Sequence, residues 1–310
     1  AVHQRFSYPD QQHGLEKGDE VHDPVEAGAT GLVVAIDEAE RTVELQRVGG
    51  WGSRLPTALV PMDWPRNDAL KNSLFGIGTF VADHGLTMPG SGDPSGSDLA
   101  AARSLLLRAR PCGIDAGGDL RSPGESTLDA AVRLARAIEG DVLPIQGPPG
   151  SGKTFTGAHM IVQLVDKGLK VGVAANSHKV IGNLLDMVHT VATDLLAKGE
   201  ITRPVRIGQK PKEGREPTCS VATRIGDNPK VRRGLERDEL DVVGATAWAW
   251  ASGKVSGDGP IVDVLFVDEA GQMSLANALA AAPAARAMVL LGDPQQLDQP
   301  TQGSHPPGAE

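Results

Sequence analysis

From residue 123 onward, short apolar runs alternate with longer amphipathic stretches. "VLPIQ" (142–146), "KVGVAAN" (170–176), "DVVGAT" (241–246), "VDVLFVD" (262–268) and "AMVLLGD" (287–293) are rich in β-branched and aliphatic residues and end in polar or turn residues, which predicts buried strands. Between them, "STLDAAVRLARAIEG" (126–140), "TFTGAHMIVQLVDKG" (154–168) and "SHKVIGNLLDMVHTVATDLLAKG" (177–199) repeat their apolar residues at helical spacing. Ser126 or Thr127 is placed to cap the first of these helices and Gly140 to stop it. Strands and helices in alternation predict an α/β fold, a mostly parallel sheet with helices on both faces. Ligands of such sheets bind at the carboxyl ends of the strands.

The first third reads differently. Residues 30–36 and 42–48 flank the turn-like "DEAE", and the second run alternates, with Val43 and Leu45 on one face and Thr42, Glu44 and Gln46 on the other. That is hairpin patterning, and it predicts a small β-barrel. Residues 66–85 are expected to be helical despite Gly76 and Gly78. A turn-rich "TMPGSGDPSGS" follows, and Ser97 or Asp98 then caps a second helix that Pro111 ends. The expected organisation is an extended leader over 1–14, a small barrel over 15–65, a helical stalk and linker over 66–122, and the α/β domain over 123–310.

Composition narrows the picture. Of 310 residues 40% are hydrophobic but only 3% aromatic, so Ala, Val and Leu must build the core. No unbroken apolar run reaches the length of a membrane span, so no membrane partner is expected, and the first residues lack a signal-peptide pattern. Cys112 and Cys219 are too few for a disulfide framework or a four-cysteine metal site, and a reducing cytoplasm is the expected compartment. A net charge of −9 argues weakly against nucleic acid, but residues 201–237 carry ten Lys or Arg against four Asp or Glu. That surplus reads either as a phosphate-holding patch or as a solvated loop.

Three motifs carry chemistry, each at the carboxyl end of an expected strand. Gly147-Pro148-Pro149-Gly150-Ser151-Gly152-Lys153-Thr154 fits the P-loop pattern, and it lies between a strand and a helix as that pattern requires. Its backbone N–H groups and the following helix N-terminus suit phosphate oxygens, with Lys153 for the β- and γ-phosphates and Thr154 for Mg²⁺. "VLFVDEAGQ" delivers Asp268 for the metal and Glu269 as a base for water, although an Asp-Glu pair alone is also ordinary helix capping. "GDPQQL" offers Gln296 as a neutral hydrogen-bonding group, its plainer reading being turn filler.

In that order and spacing, "GPPGSGKT", "DEAGQ" and "GDPQQL" resemble motifs I, II and III of superfamily 1 helicases, in the branch containing the nonsense-mediated-decay helicase and the replication nuclease-helicases. "VGVAANSHKVIGNLL" and "VVGATAWAWA" resemble two further motifs of that group, and the likeness extends to bacterial proteins in which a RecB-like nuclease precedes such a helicase. The resemblance implies a RecA-like motor domain that uses ATP and Mg²⁺. It implies Lys153, Glu269 and Gln296 as catalytic residues, residues 147–154 and Gln272 against ATP, and Thr154 and Asp268 on the metal. It also places Ser177, His178, Lys179 and Thr246 beside a single strand, DNA favoured over RNA, with 5′ to 3′ movement. Lys179 reads equally as a solvated helix charge and His178 as a helix-start residue, while Trp248 and Trp250 read as base-stacking rings or, with more weight, as residues buried under the sheet. The chain ends just past the third motif, so a second motor domain is expected downstream and a nuclease upstream, in a bacterial, nucleoid-associated protein. One departure stands out: "STLDAAV" lacks the glutamine that in this group reads adenine, which leaves selectivity among nucleotides open. The rivals from other classes are a non-motor P-loop switch or scaffold, an RNA helicase, and a P-loop kinase, for which no acceptor site is visible.

Overall fold

The computed structural model of the chain describes residues 2–11, 13–24, 29–47, 55–61, 67–87, 99–109, 120–257, 259–293 and 295. Contacts divide it into two units, Ala1–Arg66 and Asn67–Glu310.

In the smaller unit, strands β1 (Val2–Ser7), β2 (Glu20–His22), β3 (Ala29–Asp37), β4 (Thr42–Arg47) and β5 (Val60–Pro61) form one antiparallel sheet in the order β1-β4-β3-β2-β5. The expected hairpin is β3–β4, and the alternation along β4 buries Val43 and Leu45 with Val21 and Val33. Two expectations change. The leader contains β1, whose residues pair with β4 from Val2↔Arg47 to Ser7↔Thr42, so it is part of the sheet. Among the described residues the sheet does not close into the expected barrel, since its end strands β1 and β5 are not paired there.

The larger unit is built on seven strands: β6 (Val142–Gln146), β7 (Val171–Ala174), β8 (Ile207–Gln209), β9 (Thr223–Arg224), β10 (Val242–Gly244), β11 (Val262–Asp268) and β12 (Ala285–Gly292). All pairings are parallel, in the order β6-β12-β11-β7-β10-β8-β9. Period-two alternation assigns the two faces. Val264 and Phe266 of β11 join a core under α3 (Thr127–Ala137), α4 (Lys153–Asp166) and α5 (His178–Ala197). Leu265 and Val267 of the same strand join the opposite core, under α1 (Asp68–His84), α2 (Ala100–Leu107), α6 (Asn228–Glu236), α7 (Ala247–Trp250), α8 (Gly253–Ser256) and α9 (Leu275–Ala281). Trp250 is fully buried there, and its indole N–H donates to the carbonyls of Val173 and Ala245, both at 3.1 Å. Trp248 is half-buried and donates to Asn67 Oδ1 at 3.3 Å.

The expected stalk is therefore no stalk. Leu70 and Ile77 of α1 and Ala101 and Ala102 of α2 are buried in the core beneath the sheet, so the unit begins at Asn67 rather than near residue 123. The cause is burial: an apolar helix face left in water forgoes the largest favourable term in folding. Arg103, also fully buried, clamps the two helices by donating to the Thr87 carbonyl and hydroxyl at 2.9 Å and lying 5.7 Å from the Phe80 ring centroid. Ser126 caps α3, its hydroxyl accepting from the Asp129 amide, but the helix stops at Ala137, before Gly140. By length and apolarity α5 passes for a membrane span, yet Ile181, Leu184, Leu185, Val188 and Val191 are buried against the sheet, which makes it a core helix. Cys219 is buried, and burial pushes its thiol up to about 11; Cys112, Ser97, Asp98 and Pro111 lie outside the described residues.

The basic segment is mostly structured, with β8, β9 and α6 in it, and its charges are divided. Arg203 and Arg206 turn to the amino end of the sheet and bind Asp241. Arg224, Lys230 and Arg232 pair with Glu216, Asp227 and Glu236. Lys210 and Lys212 follow the carboxyl end of β8.

Candidate nucleotide site at the carboxyl rim of the sheet

The strand order lays the motifs out along one rim. The P-loop leaves β6, Asp293 follows β12, Asp268 ends β11, Asn176 and Ser177 follow β7, Thr246 follows β10, and Lys210 follows β8. The P-loop is anchored to its neighbour by the Gly147 amide, which donates to the Gly292 carbonyl at 3.2 Å. Gly150 and Gly152 take φ values of 77° and 86°, a region side chains resist, and this lets the loop curl into the N-terminus of α4. Lys153 and Thr154 occupy the first turn of that helix, both half-buried. The ammonium of Lys153 folds back on the loop, donating to the carbonyls of Gly147 at 2.5 Å and Pro148 at 3.0 Å.

Asp268 is only 4% exposed. Burial, reinforced by the charge of Glu269 and opposed by the Glu269 amide and by Lys153, pushes its carboxyl up to about 6. The amide of Glu269 donates to Asp268 Oδ1 at 3.0 Å. Among the described residues no lysine or arginine is ion-paired with Asp268, so a buried acid stands at the phosphate loop with its charge poorly compensated. Such a donor, within electrostatic reach of Lys153, fits a hard divalent cation, which would offset the cost of ionising the buried carboxyl.

Glu269 itself adopts a left-handed backbone, φ 52°, which costs a non-glycine residue roughly 1–2 kcal/mol. It leads into a 3₁₀ turn, Ala270–Gln272. Gln272 Nε2 lies 3.5 Å from Glu269 Oε2, and its carbonyl accepts from Asn176 Nδ2 at 2.5 Å. A Cβ added to Gly271 would lie 2.4 Å from the Asp293 carbonyl oxygen, so only glycine lets the turn sit against the end of β12. Along the rim Asp268 lies within electrostatic reach of Lys153 and next to Glu269, whose carboxylate is 3.5 Å from Gln272, while Thr154 follows Lys153 in the first turn of α4. Gln296, expected to complete the set, lies outside the described residues.

Further along the rim, Ser177 caps α5, its hydroxyl accepting from the Val180 amide at 3.2 Å. His178 is half-buried, and its imidazole is pushed down by burial and by the charges of Lys210 and Lys212. Its carbonyl accepts from Thr218 Oγ1 at 2.5 Å and Gln209 Nε2 at 3.3 Å. Lys179 is exposed and Thr246 half-buried at the start of α7. Sequence reasoning missed Asn176, Gly271 and Lys210; the available signal was position alone, since each follows directly on an apolar strand or on the Asp268–Glu269 pair.

Fold and rim together define a P-loop, RecA-like nucleotide-binding domain. A family model described as an AAA domain matches residues 129–305, more than half of the chain, and the chain belongs to that family. Among curated proteins, "DNA polymerase alpha-associated DNA helicase A" of Schizosaccharomyces pombe is 30% identical over 112 residues, covering 36% of this chain and 16% of its own length. "DNA replication ATP-dependent helicase/nuclease JHS1" of Arabidopsis thaliana is 27% identical over 162 residues, covering 51% of this chain and 11% of its own. The chain thus spans a small part of these relatives. Among solved structures, an arterivirus nonstructural protein 10 (helicase) with DNA aligns over 58% of this chain and 33% of its own, at 16% identity and a TM-score of 0.34, too distant to bear on function.

Proposed function

We propose that this chain is the ATP-binding motor domain of an ATP-dependent helicase or translocase that moves on single-stranded nucleic acid, DNA in preference to RNA, and works with a second motor domain. One observation carries the reading. The rim divides in strand order into a phosphate half, on β6, β12 and β11, and a basic half with Lys179, Lys210 and Lys212, on β7, β10 and β8. The named helicases among the relatives support it.

In this reading the P-loop amides and the Lys153 ammonium hold the triphosphate, Lys153 exchanging the Gly147 and Pro148 carbonyls for phosphate oxygens. Thr154 and Asp268 would hold Mg²⁺, whose charge offsets that of the phosphates. Glu269 accepts a proton from the attacking water at its carboxylate, and Gln272 orients it. Ser177, His178, Lys179 and Thr246 grip the strand, chiefly by its phosphates, through hydroxyl, backbone and ammonium groups. An arginine supplied by a partner motor domain is worth on the order of 10³–10⁵ in turnover, so this chain alone binds nucleotide and hydrolyses it negligibly.

Thermal melting with MgADP and MgATP, together with anisotropy of labelled oligo(dT) and oligo(U) at two salt concentrations, tests this. Nucleotide at about 100 times its dissociation constant should add about 2.7 kcal/mol of stability, and Lys153→Ala should remove most of that gain. Strand binding should weaken as salt rises. The absence of any MgADP shift in the wild type, or fast hydrolysis by the isolated chain, would sink the reading.

A further inference from the structure

The two halves of the rim meet between β11 and β7, and a side-chain hydrogen bond crosses that seam: Asn176 Nδ2 to the Gln272 carbonyl, 2.5 Å. Asn176 is exposed, at the carboxyl end of β7, and the next residue is Ser177, the cap of α5. Gln272 closes the 3₁₀ turn after Glu269, its amide donating to the Glu269 carbonyl at 2.9 Å.

The turn has little freedom of its own. On its other side Gly271 is pressed against the end of β12, where a Cβ on Gly292 would lie 2.8 Å from the Gly271 nitrogen. Gly292 in turn accepts from the P-loop amide of Gly147. At its start, Glu269 holds a left-handed backbone that relaxes if the turn shifts. A change at the phosphates that draws the Gln272 side chain off Glu269 therefore moves a turn wedged against β12, and the mobile consequence falls on the Asn176 side. Asn176 and Ser177 are consecutive, and the His178 carbonyl is fixed by Thr218 and Gln209, so displacement of Asn176 re-aims the first turn of α5 and with it Lys179.

We propose that Asn176 is a positioning residue that couples the nucleotide half of the rim to the strand half through the Gln272 carbonyl. The proposal rests on the motor reading above, because it needs both ligands. Coupling of this kind is reciprocal and is measured as the ratio of strand affinities with and without nucleotide.

The test measures the dissociation constant of fluorescein-labelled oligo(dT) for the 310-residue chain, alone and with saturating MgADP or Mg-ATPγS, together with nucleotide affinity by melting. In the wild type one of the nucleotides should change strand affinity at least about five-fold, the lower end of ordinary coupling. Asn176→Ala should bring the ratio to within about two-fold of unity while each ligand alone binds as before. Asn176→Asp, which sets an acceptor against the Gln272 carbonyl, should do the same. A merely structural role would lower both affinities and leave the ratio alone. Variants that keep the wild-type ratio overturn the proposal, as does a wild-type ratio of one with both ligands bound, which leaves the motor reading standing. A wild type that binds no nucleotide overturns the motor reading and the coupling with it.

Discussion

Two buried aspartates mark opposite ends of the same sheet. Asp241, fully buried at the amino end of β10, accepts from Arg203 at 2.9 Å, from Arg206 Nη2 at 2.7 Å and from the Arg206 amide at 3.0 Å, with Lys170 3.6 Å away. Burial alone would raise it, but the two arginines hold its carboxyl well below the usual carboxylate range. Asp268, almost as buried at the carboxyl end of β11, is raised to about 6 by burial and by the nearby Glu269 carboxylate, which outweigh the Glu269 amide that donates to it and the charge of Lys153. One acid is completed by its own chain; the other is left for something else to complete. Buried polar groups that fold for stability arrive with their partners, while groups that await a ligand do not.

The comparison breaks most visibly at the completed end. Asp241→Ala leaves two arginines and a lysine facing one another around a hollow and the Arg206 amide unpaired, and should cost about 3–5 kcal/mol in denaturant unfolding at neutral pH. A loss below about 1 kcal/mol would show that the cluster is solvated and that Asp241 is no different from a surface acid.

The opposite sign is expected at the other end. A carboxyl raised from 3.8 to about 6 is ionised in the fold at neutral pH against an opposing cost, so Asp268→Asn should stabilise the metal-free chain by about 2 kcal/mol. The same substitution should abolish the Mg²⁺-dependent part of nucleotide affinity. Unchanged stability together with unchanged Mg²⁺ dependence would remove Asp268 from the site.

The pH dependences should also oppose each other, with smaller increments between neighbouring conditions. The folded Asp241 carboxyl is depressed, so its contribution is present above 3.8 and is lost as pH falls through the lowered value. The folded Asp268 carboxyl is raised, so its contribution is fully present below 3.8 and is lost as pH rises towards and past about 6. Metal-free unfolding of the wild type and Asp268→Asn at pH 4.5, 6 and 7.5 should show the advantage of the variant growing with pH. A constant difference would mean that the Asp268 carboxyl is not perturbed by burial.

Much of the larger unit was legible in residue order. Residues 142–146 and 262–268 were read as strands with the limits the structure shows, because central parallel strands are apolar on both faces and stand out as unbroken runs. The P-loop was legible because its backbone requirement is local: glycines where φ is positive, then a helix start. Strand β8 escaped because three residues, "IGQ", show no period, and α6 because its apolar residues are few among arginines. The stalk was misassigned for another reason. The apolar positions of α1 and α2 were visible, but nothing in them names the surface they cover.

Residue order along the chain settled the alternation of the longer strands and helices of the larger unit, the phosphate loop, and the acids able to serve it, since each depends on neighbours a few positions apart. Which acid is compensated and which is not, where α1 and α2 lie, and the bond from Asn176 to Gln272 were settled by packing alone. Those contacts join segments tens to hundreds of residues apart, and their geometry exists only once the parallel strands have set the order in which their ends stand along the rim.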